Sequence, residues 1–289
     1  MESRIFTLPL LIRFLIKCYR FNSLIPFYLI SGQEWQQRRK LLTPAFHFSI
    51  LNSMSETLVQ KGNKLVETIK KLPEDFPINV YDMMYLVALD GICGKRLCQT
   101  ELCALRHDFT IHLLGKHPEI QERCYQELED IFQGSCRGPT MDDLRSMKYL
   151  EQVIKESLRL FPSAPIISRK ALADTQFGSC VVPEGSTVTI PIYCLHRDPK
   201  YFPDPEKFDP DRFSSENAGL RHPYAYVPFA AGGRNCIGQK YAMMEEKILL
   251  SNLIRNFTME SMDKTEDLRL TFAMVLRSLN GINIKFKSR

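Results

Sequence analysis

The stretch FAAGGRNCIG, from Phe229 to Gly238, constrains this chain more than any other. It sets three glycines, an arginine and a cysteine within ten residues, directly ahead of a strongly helical segment. A cysteine at a helix N-terminus faces unpaired backbone N–H groups and the positive end of the helix dipole. Both favour a thiolate, the form that ligates metal. Gly232 and Gly233 permit a sharp bend, and Gly238 removes a side chain just past the sulfur, so that something flat can approach. Arg234 supplies a cation suited to a carboxylate, and Phe229 is placed to shield the sulfur from water. Together these parts suit a thiolate bound to the iron of a flat, carboxylate-bearing macrocycle. A lone C-x-G would read as a structural glycine turn around a buried cysteine.

Other residues supply what such a loop needs. Glu156 and Arg159, in ESLR, stand at i and i+3 and share a helix face. As an isolated pair they would be a surface ion pair of little worth. Arg212, in FDPDRF, is in a loop able to reach the same carboxylate and complete a buried triad. Trp35 and Arg39, in WQQRR, are four apart on one helix face and can both point at carboxylates, and SRK adds Arg169.

Around these motifs the chain predicts a mainly α fold with a small β-sheet. A short basic helix covers Trp35 to Leu42 and stops at Pro44. Apolar residues at 51, 54, 58, 65, 69 and 72 mark a second helix from Ile50 to Leu72, and a third is expected from Val80 to Cys93. Pro118 opens a helix that ends at Gly134, and Thr140 with Asp143 resembles a capping pair. Met147 to Leu160 is helical, and Pro162 closes it. CVVPEG and TVTIPIY then alternate as short strands with a turn between them. Residues 196–213 form an ordered loop rich in Pro and Asp. After the decapeptide a helix runs to about Asn256, with Ile237, Tyr241, Met244, Ile248 and Leu249 on one face, and the tail ends in strands.

Several function classes are excluded. There is no phosphate loop, dinucleotide fingerprint, zinc-protease motif or nucleophile elbow. HRDP at 196–199 lacks the Asn a kinase would need, because Pro203 stands there. A net charge of +5 without an arginine–aromatic stripe argues against nucleic acid and fits an acidic partner or an anionic membrane surface. Nine irregularly spaced cysteines indicate a reducing compartment. Cys93, Cys98 and Cys103 recur every five residues, a spacing that suits neither zinc nor iron–sulfur ligation, and read as small helix residues.

With these motifs in hand, the chain resembles the haem-thiolate monooxygenases, the cytochromes P-450. The decapeptide follows the family's F-x-x-G-x-R-x-C-x-G pattern at every fixed position. Glu156 and Arg159 follow E-x-x-R, Arg212 the P-x-R-F loop, and Trp35 with Arg39 W-x-x-x-R, all in the family's order. TPAFHF and HPEIQ look most like the microsomal branch that oxidises fatty acids and related lipids. The resemblance implies haem b with Cys236 as iron ligand. It implies Trp35, Arg39, Arg169 and Arg234 on the haem propionates, and Glu156, Arg159 and Arg212 as a structural triad. It further implies insertion of one oxygen atom from O2 into a C–H bond of a small hydrophobic substrate. Electrons would come from NADPH through a cytochrome reductase, met by Arg38, Lys40 and Lys240, at the cytosolic face of the endoplasmic reticulum membrane.

Two departures accompany the resemblance. Residues 1–31 form a divergent apolar and basic segment ahead of a haem-binding domain at 32–289. Its run Ile5 to Ile16 is too short for a clean transmembrane helix, and it either lies on a membrane interface or is buried. Between Gly94 and His117 the chain is too short for the long central helix that in this family crosses the distal face of the haem with an acid–threonine pair. LRHDFTIHLLGK is what remains there; its Asp108 and Thr110 suggest the pair, but Phe109 separates them and they stand too close to Pro118 for its usual placement. The fold is therefore expected to be incomplete. The alternative function is a catalytically silent variant that keeps the proximal haem loop or only associates with membranes.

Overall fold

The computed structural model describes residues 31–73, 76–84, 99–272 and 275–289, and only the backbone of 99–106 and 218. The N-terminal segment before Ser31, most of the helix expected at Val80 to Cys93, and Cys93 and Cys98 lie outside the described residues. Residues 80–84 are helical.

The helices follow the sequence pattern closely. The first, α1, is Gly32–Leu42 and gives way to a 3-10 turn at Thr43–Phe46 that holds Pro44. The second, α2, is Phe48–Lys70 and buries Leu51, Leu58, Leu65, Val66 and Ile69. Then come α3, Gln99–Lys116, and α4, Pro118–Phe132, which begins with its proline at N1 and ends in left-handed Gln133. Thr140 and Asp143 form a full capping box for α5, Met141–Ser146. The next helix, α6, is Lys148–Leu160 and has no cap of its own. Glu127 of α4 supplies one, its carboxylate accepting the N–H groups of Tyr149 at 2.6 Å and Leu150 at 2.9 Å. A carboxylate there meets both unpaired donors and the helix dipole.

The last long helix, α9 (Gln239–Asn256, after the short α7 at Ile192–Leu195 and α8 at Ser215–Ala218), differs from expectation. The sequence predicts one apolar face. Instead it is buried all round, from Tyr241 to Ile254 apart from half-buried Met243, Glu245, Glu246, Lys247 and Asn252 included. It runs through the middle of the core with α2, α3, α4 and α6 packed about it. The buried Lys247 ammonium is partnered: its Nζ donates to Leu144 O and to Glu151, each at 2.7 Å. Gly62 lets α2 approach, since a Cβ there would stand 2.2 Å from the Asn252 amide.

The strands are short and antiparallel. Asn283–Ser288 lies between Ile78–Asn79 and Phe257–Ser261, a three-stranded sheet that closes the bottom of the core. Cys180–Val182 and Thr187–Pro191 are strands with a turn between them, yet they do not pair with each other. Cys180–Val182 folds back on Thr175–Phe177 through Gly178, at φ +59°, while Thr187–Pro191 pairs with Ile166–Lys170. Glycine with positive φ as the first of two loop residues suits the tight hairpin, which captures the nearer strand first. Leu270–Phe272 and Leu276–Ser278 form a further ribbon.

Candidate functional site

The loop from Phe229 to Gly238 is folded on itself. The Cys236 N–H donates to Phe229 O at 2.8 Å, Asn235 N–H to Gly232 O at 3.1 Å, and Ala230 N–H to Val227 O at 2.9 Å. Ala230 and Gly232 take positive φ, 56° and 75°, and the latter is a conformation that glycine alone adopts without strain. Helix α9 starts only at Gln239, with Gly238 as N-cap, so Cys236 stands just ahead of the helix rather than in its first turn. Its thiol is exposed and forms no disulfide. A Cβ on Gly238 would meet Phe46 at 3.6 Å and the Cys236 sulfur at 3.9 Å, ordinary contacts. Nothing lies within 4 Å of a Cβ built on Gly232 or Gly233. Phe229 is half-buried, its ring packed on the core.

Helix α1 brings Trp35 and Arg39 to this loop. Arg39 donates to the Asn235 carbonyl at 2.5 Å and to Asn235 Oδ1 at 2.6 Å. The Arg234 guanidinium lies 4.3 Å from the centre of the Trp35 ring, and that of Arg39 at 5.8 Å. Four of the expected residues, Trp35, Arg39, Arg234 and Cys236, are thus one cluster. Arg169 is elsewhere, on the Ile166–Lys170 strand, donating to Ser168 O at 2.9 Å. Arg38 is paired with Glu34, while Lys40 and Lys240 are exposed.

The triad forms beneath. Glu156 and Arg159 are both fully buried. Arg159 spends all five donors: two on the Glu156 carboxylate at 2.7 and 2.8 Å, and three on the carbonyls of His196, Pro205 and Lys207. Glu156 also accepts the Asp209 N–H at 3.0 Å and faces Arg212 Nε at 3.4 Å. Burial pushes the Glu156 carboxyl up from its ordinary value, against the opposing pull of Arg159. Such a pair is safe inside the core only when fully hydrogen-bonded, and this one is.

Asp108 and Thr110 are buried in α3, Thr110 donating to Ser157 Oγ at 2.9 Å. Burial, with Asp82 nearby, raises the Asp108 carboxyl well above the carboxylate range. Phe109 between them stacks on Phe161 at 4.4 Å. Neither lines the cavity of about 560 Å³ that opens behind the cysteine loop, between Met141, Lys155, Phe229 and Met243.

One residue escaped the motifs. His196, in the HRDP stretch set aside as a false kinase signature, is buried between Arg159 and the cysteine loop, its Nε2 accepting the Val227 N–H at 2.9 Å. Its signal lay in the sequence, but nothing local marked it as a link.

A mainly helical domain whose glycine loop offers a free thiol, flanked by arginines and an indole and anchored on a buried Glu–Arg pair, has the plan of a thiolate-ligand haem protein. The sequence model of the family described as Cytochrome P450 matches residues 19–97 and 104–286. The chain belongs to the cytochrome P450 family, whose members are monooxygenases that hold haem iron through a cysteine thiolate. Cytochrome P450 4V2 of Mus musculus is 51% identical over 382 residues, covering 90% of this chain and 73% of that protein. Cytochrome P450 4V2 of Homo sapiens is 52% identical over 182 residues, 63% of this chain. Cytochrome P450 4c3 of Drosophila melanogaster is 48% identical over 182 residues. In these last two matches the chain spans about a third of the relative's length, 35% and 34%. The mouse alignment is longer than all 289 residues of this chain, so the relative carries an internal segment with no counterpart here. The family match is interrupted at 98–103, inside the stretch between Gly94 and His117 that is too short for the family's central helix.

Proposed function

We propose that this chain seats haem b on the cysteine loop and acts as a monooxygenase on a fatty acid or related lipid. The observation that carries the reading is the cluster of an exposed Cys236 thiol with Arg39, Arg234 and Trp35, beside open space at Gly232 and Gly233. Haem needs a soft anionic donor for iron and cations for two carboxylates, and these residues fit both needs. Cys236 would hold the iron, with Arg39, Arg234, Trp35 and, from its own strand, Arg169 on the propionates. Phe229 and Gly238 would border the sulfur. Bound there, haem would supply activation of O2 for insertion of one oxygen atom into a C–H bond. Arg39 already pins Asn235, so this chain's own residues hold the loop in register, and the buried triad keeps the support rigid. Lys40 and Lys240 are exposed cations suited to an NADPH-dependent reductase with an acidic face. The fatty-acid substrate and the cytosolic face of the endoplasmic reticulum membrane follow from likeness to the relatives. Among the described residues, no helix is long and apolar enough to cross a membrane.

The unmatched internal segment leaves a second reading to be tested, a chain that binds haem without turnover. The experiment separates the two. The protein is reduced, exposed to carbon monoxide and scanned. A strongly red-shifted Soret band is expected, and Cys236→Ala should remove it. Absence of haem uptake by the parent chain sinks the cofactor reading. Haem uptake without product from a fatty acid, reductase and NADPH leaves the second reading standing.

A further inference from the structure

His196 belongs to none of the motifs, yet it stands where the anchor and the loop meet. Its ring is fully buried, stacked on Tyr226 with centroids 5.1 Å apart and edge-on to Phe202 at 6.5 Å. Its carbonyl accepts Arg159 Nη1 at 3.0 Å, and its ring Nε2 accepts the Val227 N–H at 2.9 Å. Val227 opens the loop: its carbonyl accepts Ala230 N–H, and two residues on, Phe229 O accepts Cys236 N–H. A single residue therefore bonds the buried Glu156–Arg159 pair with its backbone and the cysteine loop with its side chain. Since Nε2 accepts, the ring is neutral with its proton on Nδ1. Burial keeps it so, holding its pKa down at about 3. On its Nδ1 side the ring faces the backbone of Arg159 and Leu158, which favours a proton there, although no hydrogen bond of ordinary geometry closes.

We propose that His196 is a positioning residue for the cysteine loop, the side-chain acceptor that fixes Val227 and registers Cys236 on the Glu156–Arg159 anchor. Its functional consequence rests on Cys236 being the haem ligand, but the geometry does not. The test uses the full chain produced without haem. The rate at which iodoacetamide alkylates Cys236 is followed by peptide mass spectrometry. Glutamine carries its amide oxygen as many bonds from Cα as Nε2 is, so His196→Gln can still accept from Val227. Asparagine cannot reach. His196→Asn and His196→Phe should speed alkylation about fivefold, the factor one ordinary hydrogen bond is worth, with His196→Gln close to the parent. His112→Phe, which disturbs a buried histidine of α3 bonded to Ser261 of the three-stranded sheet, controls for stability: it should lower the melting temperature and leave the alkylation rate unchanged. The proposal fails if His196→Asn reacts at the parent rate, if Gln protects no better than Asn, or if His112→Phe accelerates alkylation equally. Should His196→Phe not fold, the Gln–Asn pair decides. If no variant or parent takes up haem, the haem reading falls while the alkylation result still judges His196.

Discussion

Two buried neutral histidines contribute to the acid side of this protein's stability. His112 joins Ser261 Oγ at 2.7 Å and Thr265 Oγ1 at 2.9 Å. Burial, helped by Lys116, lowers its pKa from 6.5 to about 4. His196 is lowered further, to about 3, again chiefly by burial. Below pH 6.5 the unfolded chain takes up protons that the folded chain refuses. Their contribution is therefore complete above 6.5 and drains away as pH falls toward 4 and then 3. Asp108 works in the opposite sense, because its raised carboxyl is protonated more readily folded than unfolded. A bare pH curve mixes these, so a difference is the better measure. Between about pH 4 and 6.5, His112→Gln should flatten the parent's dependence of unfolding free energy on pH by up to ~1.4 kcal/mol per pH unit, one proton's worth. Urea titrations of both proteins across that range would show it, and parallel curves would mean that His112 is not buried as described. Residues of this kind were not legible beforehand. Cys236, Arg234, Glu156 and Arg159 stand in fixed local spacings, whereas the role of His196 depends on two partners distant in sequence, Arg159 and Val227.

At the scale of elements, close approach decides what periodicity leaves open. Helix α3 crosses the Phe257–Ser261 strand at Gly115, where a Cβ would stand 2.6 Å from the Ser261 backbone nitrogen and 3.2 Å from the Glu260 carbonyl carbon. In a helix, alanine is favoured over glycine by about 1 kcal/mol. Forcing backbone apart in a packed core costs roughly 1–3 kcal/mol. The second effect should win, so Gly115→Ala is expected to melt below the parent; a higher melting temperature would show that helix and strand are not in such contact. The helices α2, α4, α5 and α6 were readable because their stripes, prolines and capping residues are local. The all-round burial of α9 was not, because charged residues such as Glu246 and Lys247 signal a solvated face until partners from α5 and α6, Leu144 O and Glu151, are brought to Lys247. The Cys180–Val182 strand was likewise visible, but its partner was chosen by Gly178 rather than by alternation.

The whole molecule divides unevenly about the thiol. On one side, the cysteine loop, the Trp35–Arg39 helix and the buried triad support each other through bonds that converge on Asn235, Val227 and Arg159. On the other, α3 is spent on the core: His107 to Leu114 are all buried, against α6, α9 and the three-stranded sheet. The mouse relative carries a segment unmatched here, and the family match is interrupted at 98–103, at the start of this helix. If that segment supplies the central helix that the resemblance expects over the distal face, haem seated on Cys236 would lose its apolar cover, and apolar contact contributes about 25 cal/mol per Å². A deficit of even 100 Å² corresponds to roughly 2.5 kcal/mol, enough to raise the escape rate well over tenfold. Loaded with haem and mixed with excess apomyoglobin, this chain should therefore surrender its haem at least about tenfold faster than the full-length mouse relative. The handover is followed by absorbance. Equal rates would mean that the proximal seat alone retains haem, and that the missing cover contributes nothing to holding it.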